Sequence, residues 1–187
     1  MTYVYQLPPD LPVPLDDGTT RHLPGMALPS IDLASTLGGT INPATLNSKL
    51  IIYCYPMTGQ PGVALPEGWD QIPGARGCTP QSCAYRDLHT ELLELGCTVF
   101  GLSSQTTDYQ REMAERNHLP FAVLSDPELG FLQALKLPSF EVAGMTLYKR
   151  VTLIVDHGII EAVHYPIFPS DSDAAWVLNY LKHGKQD

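Results

Sequence analysis

The chain is short of positive charge, of long apolar runs and of cysteine. Its 187 residues hold 11 Lys and Arg against 20 Asp and Glu, for a net charge of −9. The few cations are scattered and form no basic stripe. That excludes the phosphate-neutralising face a nucleic-acid binder needs, and it disfavours an acidic membrane surface. No stretch approaches the roughly 18 consecutive apolar residues of a membrane span. The opening "MTYVYQLPPDLPVPLDDG" has no positive start followed by an apolar run, so it does not read as a secretory signal. No internal repeat or low-complexity tract is present. These absences predict a soluble, cytoplasmic protein whose partner is another protein or a small uncharged molecule. Its four cysteines, at 54, 78, 83 and 97, then sit in a reducing compartment. There a thiol is more often structural, catalytic or metal-binding than permanently bridged.

What is present suits one domain with a proper core, since 44% of the residues are apolar. Residues 1–25 are proline-rich and weakly patterned; they read as an extended arm with at most a hairpin at Asp16–Asp17–Gly18, leaving 26–187 as the domain. "KLIIYCYP" (49–56) is a short continuous apolar run, the pattern of a central strand covered on both faces, with Cys54 inside it as a small buried hydrophobe. Residues 57–77 hold three prolines and five glycines and keep no periodicity. Such a long loop is usually functional or mobile, and Trp69 within it reads either as a packing anchor or as part of a lid, rim or subunit contact.

A helix follows, starting close to Cys78 and Thr79, with Ala84, Leu88, Leu92 and Leu95 at helical spacing and Gly96 as its left-handed cap. Pro80 fits only a first turn. "CTVFGLS" (97–103) is a second buried strand. Residues 107–118 form a helix opened by Thr107 and Gln110 at capping-box spacing. "FAVLSDP" gives a third strand and "ELGFLQALKL" a short helix. Residues 147–167 read as two strands around a His157–Gly158 turn, and Asp171 or Ser172 caps a last helix with Trp176, Val177, Tyr180 and Leu181 on one face. Strands alternating with helices predict an α/β fold with a mostly parallel sheet, made mixed by the closing hairpin. That is the outline of a thioredoxin-like fold.

Cys78 and Cys83 invite three readings. As zinc ligands their spacing is at the edge of the usual range, and a second pair is missing, because His157 and His164 are seven apart on a predicted hairpin. As packing residues they would be two inert thiols at a helix start. As reactive thiols they have a physical warrant: a cysteine at a helix N-terminus sees free N–H donors and the positive end of the dipole, which favour thiolate, the nucleophilic form. Cys78 meets that condition better than Cys83, and the loop before it leaves its sulfur reachable. In an intact helix residues five apart have Cα atoms about 8–9 Å from one another. A disulfide needs them within about 7 Å, so the two bond only if the helix start unwinds. Cys97 and Cys54 read as packed.

"GCTPQSCAYRD" resembles the active-site segment of the peroxiredoxins, in particular the PrxQ or bacterioferritin-comigratory-protein group, which reads Cys-Thr-x-x-x-Cys-x-x-Arg-Asp at this point. "IIYCYP" resembles the family's strand before the site, and "VFGLSSQ", "PFAVLSDPE" and "YKRVTLIVDHGII" resemble the segments that follow it in order, so that the likeness extends over about residues 26–183. The resemblance implies a thiol-dependent peroxidase with Cys78 peroxidatic, Cys83 resolving and Arg150 stabilising thiolate and peroxide. It implies a peroxide substrate, thioredoxin or glutaredoxin as reductant, a monomer or homodimer, and no metal, flavin or haem. One departure stands out. The family places a Pro-x-x-x-Thr just before the cysteine, but position 75 here is alanine. Tyr55–Pro56 and Thr58 lie upstream of about fifteen extra residues. Pro56 and Thr58 are the candidates for the family's pair; Thr79, Gln81, Arg76 and backbone N–H groups are the candidates to replace the missing donor. A thiol–disulfide oxidoreductase or redox sensor on the same fold, and a metal-binding module, remain the alternatives.

Overall fold

A computed structural model describes residues 7–184, so the first six residues of the arm lie outside it. The sheet has seven strands, β1 (Leu33–Ser35), β2 (Thr40–Ile41), β3 (Lys49–Cys54), β4 (Cys97–Ser103), β5 (Val123–Ser125), β8 (Val151–Asp156) and β9 (Ile159–His164), ordered β2-β1-β5-β4-β3-β8-β9. A separate hairpin pairs β6 (Ser139–Val142) with β7 (Met145–Tyr148). The helices are α1 (Cys78–Asp87), α2 (His89–Glu94), α3 (Thr107–Arg116), α4 (Gly130–Leu135) and α5 (Asp173–His183).

The mixed, helix-flanked sheet is as expected, but its parallel part is smaller. Only β3–β4 and β4–β5 run parallel, while β1–β2, β1–β5, β3–β8 and β8–β9 are antiparallel. The expectation of a mostly parallel sheet is corrected because β1 and β2, only three and two residues long, carry no legible period and add an antiparallel edge.

β3 is covered on both sides, as its apolar run predicts. Leu50, Ile52 and Cys54 enter one core with Leu23, Leu28, Phe131 and Leu135; Ile51, Tyr53 and Tyr55 enter the other with Cys78, Tyr85, Leu92 and Val177. Each such buried aliphatic or aromatic side chain contributes about 1.5–3 kcal/mol. The second core carries α1. Tyr53 stacks on Tyr85 with centroids 4.4 Å apart, and its hydroxyl donates to Ser82 Oγ at 3.0 Å. Gly101 on β4 makes that possible, because a Cβ there would lie 2.7 Å from the Tyr53 hydroxyl.

Four local expectations change. The helix expected from Cys78 to Gly96 is broken at Leu88 (φ −101°, ψ 8°) into α1 and α2. Its core-facing residues are Tyr85 and Leu92; Ala84 and Leu88 lie at the edge of the core, and Leu95 is exposed. Gly96 has the positive φ of 76° that a left-handed cap requires. The Thr107–Gln110 capping box does not form. Thr106 is the N-cap, Thr107 Oγ1 bonds Ser125 Oγ at 3.0 Å, and Gln110 Nε2 donates to Leu124 O at 2.9 Å. A buried amide does better tying α3 to the end of β5 than capping its own helix. The strand expected from residue 147 is split, β7 pairing with β6 and β8 with β3, so the chain changes sheet at Lys149–Arg150. The 16–18 segment forms an Asx turn (Gly18 N to Asp16 Oδ1, 2.8 Å) without flanking strands. The arm is nonetheless anchored: Asp17 pairs with Lys149 at 2.7 Å, and Leu23, on the arm side of the expected boundary, is fully buried.

Candidate active site

The site is where three elements meet: the first turn of α1, the crossover between β7 and β8, and the end of the 57–77 loop. Gly77 is the N-cap of α1, at φ +105°, and a Cβ on it would lie 2.1 Å from Ser170 Oγ. Only glycine fits that backbone and that approach. Cys78 is therefore the first residue of α1, among its unpaired N–H groups.

Arg150, 3% exposed, reaches this point from the crossover. Its Nη2 donates to Cys78 Sγ at 3.3 Å and to the carbonyls of Gly74, Ala75 and Arg76 at 3.1, 3.3 and 3.2 Å. Its Nη1 donates to Gln81 Oε1. The Cys78 thiol donates to Ala75 O at 3.6 Å. A fixed guanidinium against the sulfur and a helix N-terminus behind it both favour negative charge there. The loop before Cys78 leaves its sulfur less reachable than expected. The residue is only 3% exposed, with Leu7 of the arm and Ser170 pressing on the adjacent Gly77.

Cys83 lies further along the same helix, half-buried, with its thiol 3.7 Å from Asn117 Oδ1. Burial pushes it up from its ordinary value, against the opposing pull of Arg86. Both thiols are free, in one unbroken helix. Cys54 is fully buried, and burial drives its thiol far above the ordinary range; Cys97 is raised for the same reason. Cys54 has no cation acting on it, and the one near Cys97, Lys49, is paired with Glu161 at 2.8 Å, so both fit the packing role.

The other candidates separate. Thr79 is buried in the first turn of α1. Thr58 is also buried, but it commits both its N–H (2.9 Å) and its hydroxyl (3.2 Å) to Gln105 Oε1. Pro56 O accepts from Ser103 Oγ at 3.2 Å. Arg76 turns its side chain to Asp70 at 2.9 Å and offers the site only its carbonyl. At position 75 the site uses a backbone carbonyl where the resemblance leads one to expect a threonine hydroxyl. The 57–77 loop is folded, not a loose lid. Trp69 is buried with Ala75 and Leu147, and it lies 6.2 Å from the Phe140 ring, so it anchors the loop to the β6–β7 hairpin. That anchoring places the three carbonyls around Arg150.

Sequence reasoning missed Asp173. It is fully buried at the start of α5 and accepts from Gln81 Nε2 (2.7 Å), Tyr85 Oη (2.8 Å), Thr152 Oγ1 (2.7 Å) and His164 Nδ1 (2.7 Å). The signal was its i,i+4 relation to the buried Val177, hidden by reading the segment only for its cap. Ser172 is indeed the N-cap, but its hydroxyl bonds Pro169 O at 2.8 Å. Among the described residues no cluster of His, Cys, Asp and Glu could hold a metal ion, and no helix is long and apolar enough to cross a membrane.

A family model described as Redoxin matches residues 23–178. The chloroplastic peroxiredoxin Q of Populus jackii is 28% identical over 160 residues, covering 84% of this chain and 67% of that protein. Among solved structures, peroxidoxin BcpB from Mycobacterium tuberculosis matches with a TM-score of 0.70 at 20% identity, over 88% of this chain and 100% of that one. The bacterioferritin comigratory protein of Xanthomonas campestris, described for its alkyl peroxide reduction activity, matches with a TM-score of 0.65 at 19% identity, over 94% and 100%. At those identities the structural likenesses establish the shared fold; the matched family model and the named relatives establish the kinship. The chain belongs to the redoxin family, as a peroxiredoxin of the Q or Bcp type.

Proposed function

We propose that this peroxiredoxin reduces hydrogen peroxide and organic hydroperoxides through Cys78, with Cys83 as the resolving thiol. Cys78 thiolate attacks the terminal peroxide oxygen. The O–O bond breaks, water or an alcohol leaves with one added proton, and the sulfur becomes sulfenic acid. Arg150 Nη2 and the N–H groups of the first turn of α1 stabilise the charge that moves onto the oxygens. Cys83 then attacks the Cys78 sulfur, water leaves, and an intramolecular disulfide forms. A cytoplasmic dithiol, thioredoxin or glutaredoxin, reduces it through a mixed disulfide. The cycle needs no metal, flavin or haem, and a thiol pair within one helix permits a working monomer or homodimer.

The single observation that carries this reading is the guanidinium of Arg150 at 3.3 Å from the sulfur of Cys78. The break at Leu88 supports the second half of the cycle. It confines the unwinding to the ten residues of α1, while Leu92 keeps α2 in the core. The Gln81 N to Gly77 O bond, at 3.1 Å, is among the first to be lost.

The test is peroxide turnover coupled to thioredoxin and its reductase. Wild type should turn over, Cys78→Ser should fall to background, and Cys83→Ser should react once and stop. Turnover kept by Cys78→Ser contradicts the assignment of the nucleophile. Rapid insulin reduction with no peroxide turnover would favour a thiol–disulfide oxidoreductase.

A further inference from the structure

The buried polar side chains beneath α1 converge on one carboxylate. Asp173 has no exposed surface, and a buried charge is costly unless it is fully hydrogen-bonded. Oδ2 accepts from Gln81, Tyr85 and Thr152, and Oδ1 from His164. Facing an acceptor, His164 Nδ1 is the protonated nitrogen. The other side of that ring stacks on Trp176 at 4.0 Å. The groups around Asp173 are thus Tyr85 from α1, Thr152 from β8, His164 from β9 and, one side chain away, Arg150.

Gln81 is the link. Arg150 Nη1 is only a donor and the Asp173 carboxylate only an acceptor, so the amide between them has a single workable orientation, Oε1 to Arg150 and Nε2 to Asp173. Among the described residues, Gln81 is the only partner of Nη1, and Arg150 Nε has none. The guanidinium is therefore held at two points: Nη2 by the sulfur and three carbonyls, Nη1 by Gln81. Without the Asp173 bond the Gln81 amide is free to rotate, and one side of the fork loses its restraint.

We propose that Asp173 is a positioning residue for the reacting thiolate: acting through Gln81, it aims Arg150 at Cys78. The proposal rests on Cys78 being the nucleophile, and it makes a signed prediction. As a mere through-space negative charge, Asp173 would oppose a thiolate, and neutralising it would favour ionised sulfur. As a positioning residue it does the reverse.

The experiment measures the alkylation rate of Cys78 by iodoacetamide against pH, read on the residue-78 peptide by mass spectrometry in a Cys83→Ser background. Asp173→Leu, which removes every acceptor from that position, should move the midpoint of the profile up by about one pH unit, roughly a tenfold loss of reactive sulfur below it. Gln81→Met, which removes no charge, should give the same upward shift, and the double variant should shift no further, since both break one link. Far-UV circular dichroism checks that each variant folds; if Asp173→Leu does not, Gln81→Met carries the test. An unchanged or lowered midpoint in the variants, or additive shifts in the double, overturns the proposal. Alkylation involves no peroxide, so these outcomes are separable from the failure of wild type to turn over peroxide, which would contradict the nucleophile assignment instead.

Discussion

The first turn and the middle of α1 hold chemically identical side chains in different settings. At its start, Cys78 is enclosed, and Arg150, the Ala75 carbonyl and the helix N-terminus all address its sulfur. About one and a half turns later, Cys83 is half-buried beside the Asn117 amide, with Arg86 and Arg116 on one side of the balance and Asp87 on the other; burial outweighs the two cations and suppresses its ionisation. Under the proposed assignment, the difference gives one helix two thiols with separate roles. The nucleophile relies on a fixed cation more than on exposure, and the resolving thiol acts after the helix has opened.

The largest break in that comparison comes from Arg150→Met, which makes the setting of Cys78 as cation-free as that of Cys54. The second-order rate constant with hydrogen peroxide, measured by stopped flow, should fall by about 10²–10³-fold, the usual cost of one preorganised donor to developing charge. A loss under about threefold would mean that the helix terminus suffices.

A smaller effect sharpens the other half of the comparison. The Cys83 thiol is raised in the folded helix and returns to its ordinary value, about 8.5, once unwound. Between pH 6 and 8 both values lie above the solution pH, so the attacking thiolate grows about tenfold per unit. Disulfide formation after a single turnover, followed by quenched flow and mass spectrometry, should accelerate accordingly. A flat profile would mean that unwinding, not thiolate supply, limits the step.

Much of this was legible before the structure. The apolar run at 49–56 announced a strand buried on both faces, and Ile51, Tyr53 and Tyr55 do face the opposite core from Leu50, Ile52 and Cys54. Pro80 marked the first turn of a helix starting close to Cys78, which is where α1 begins. What was hidden depends on contacts between distant segments. The split at Lys149–Arg150 arises because two strands choose different partners, which no local period records. Ala75 resembles a lost hydroxyl in one dimension; in three, its carbonyl stands at the sulfur. Asp173 looks like an ordinary first-turn acid, and only the packing of α5 against α1 turns it into a buried hub.

The account stands on oxidation occurring at the enclosed, cation-bound sulfur. Its most direct measurement treats Cys83→Ser protein with one equivalent of hydrogen peroxide in the presence of dimedone and maps the adduct by mass spectrometry. Labelling at residue 78, absent from the same experiment on Cys78→Ser, is the predicted result. An adduct at residue 54 or 97, with residue 78 unmodified, would contradict it.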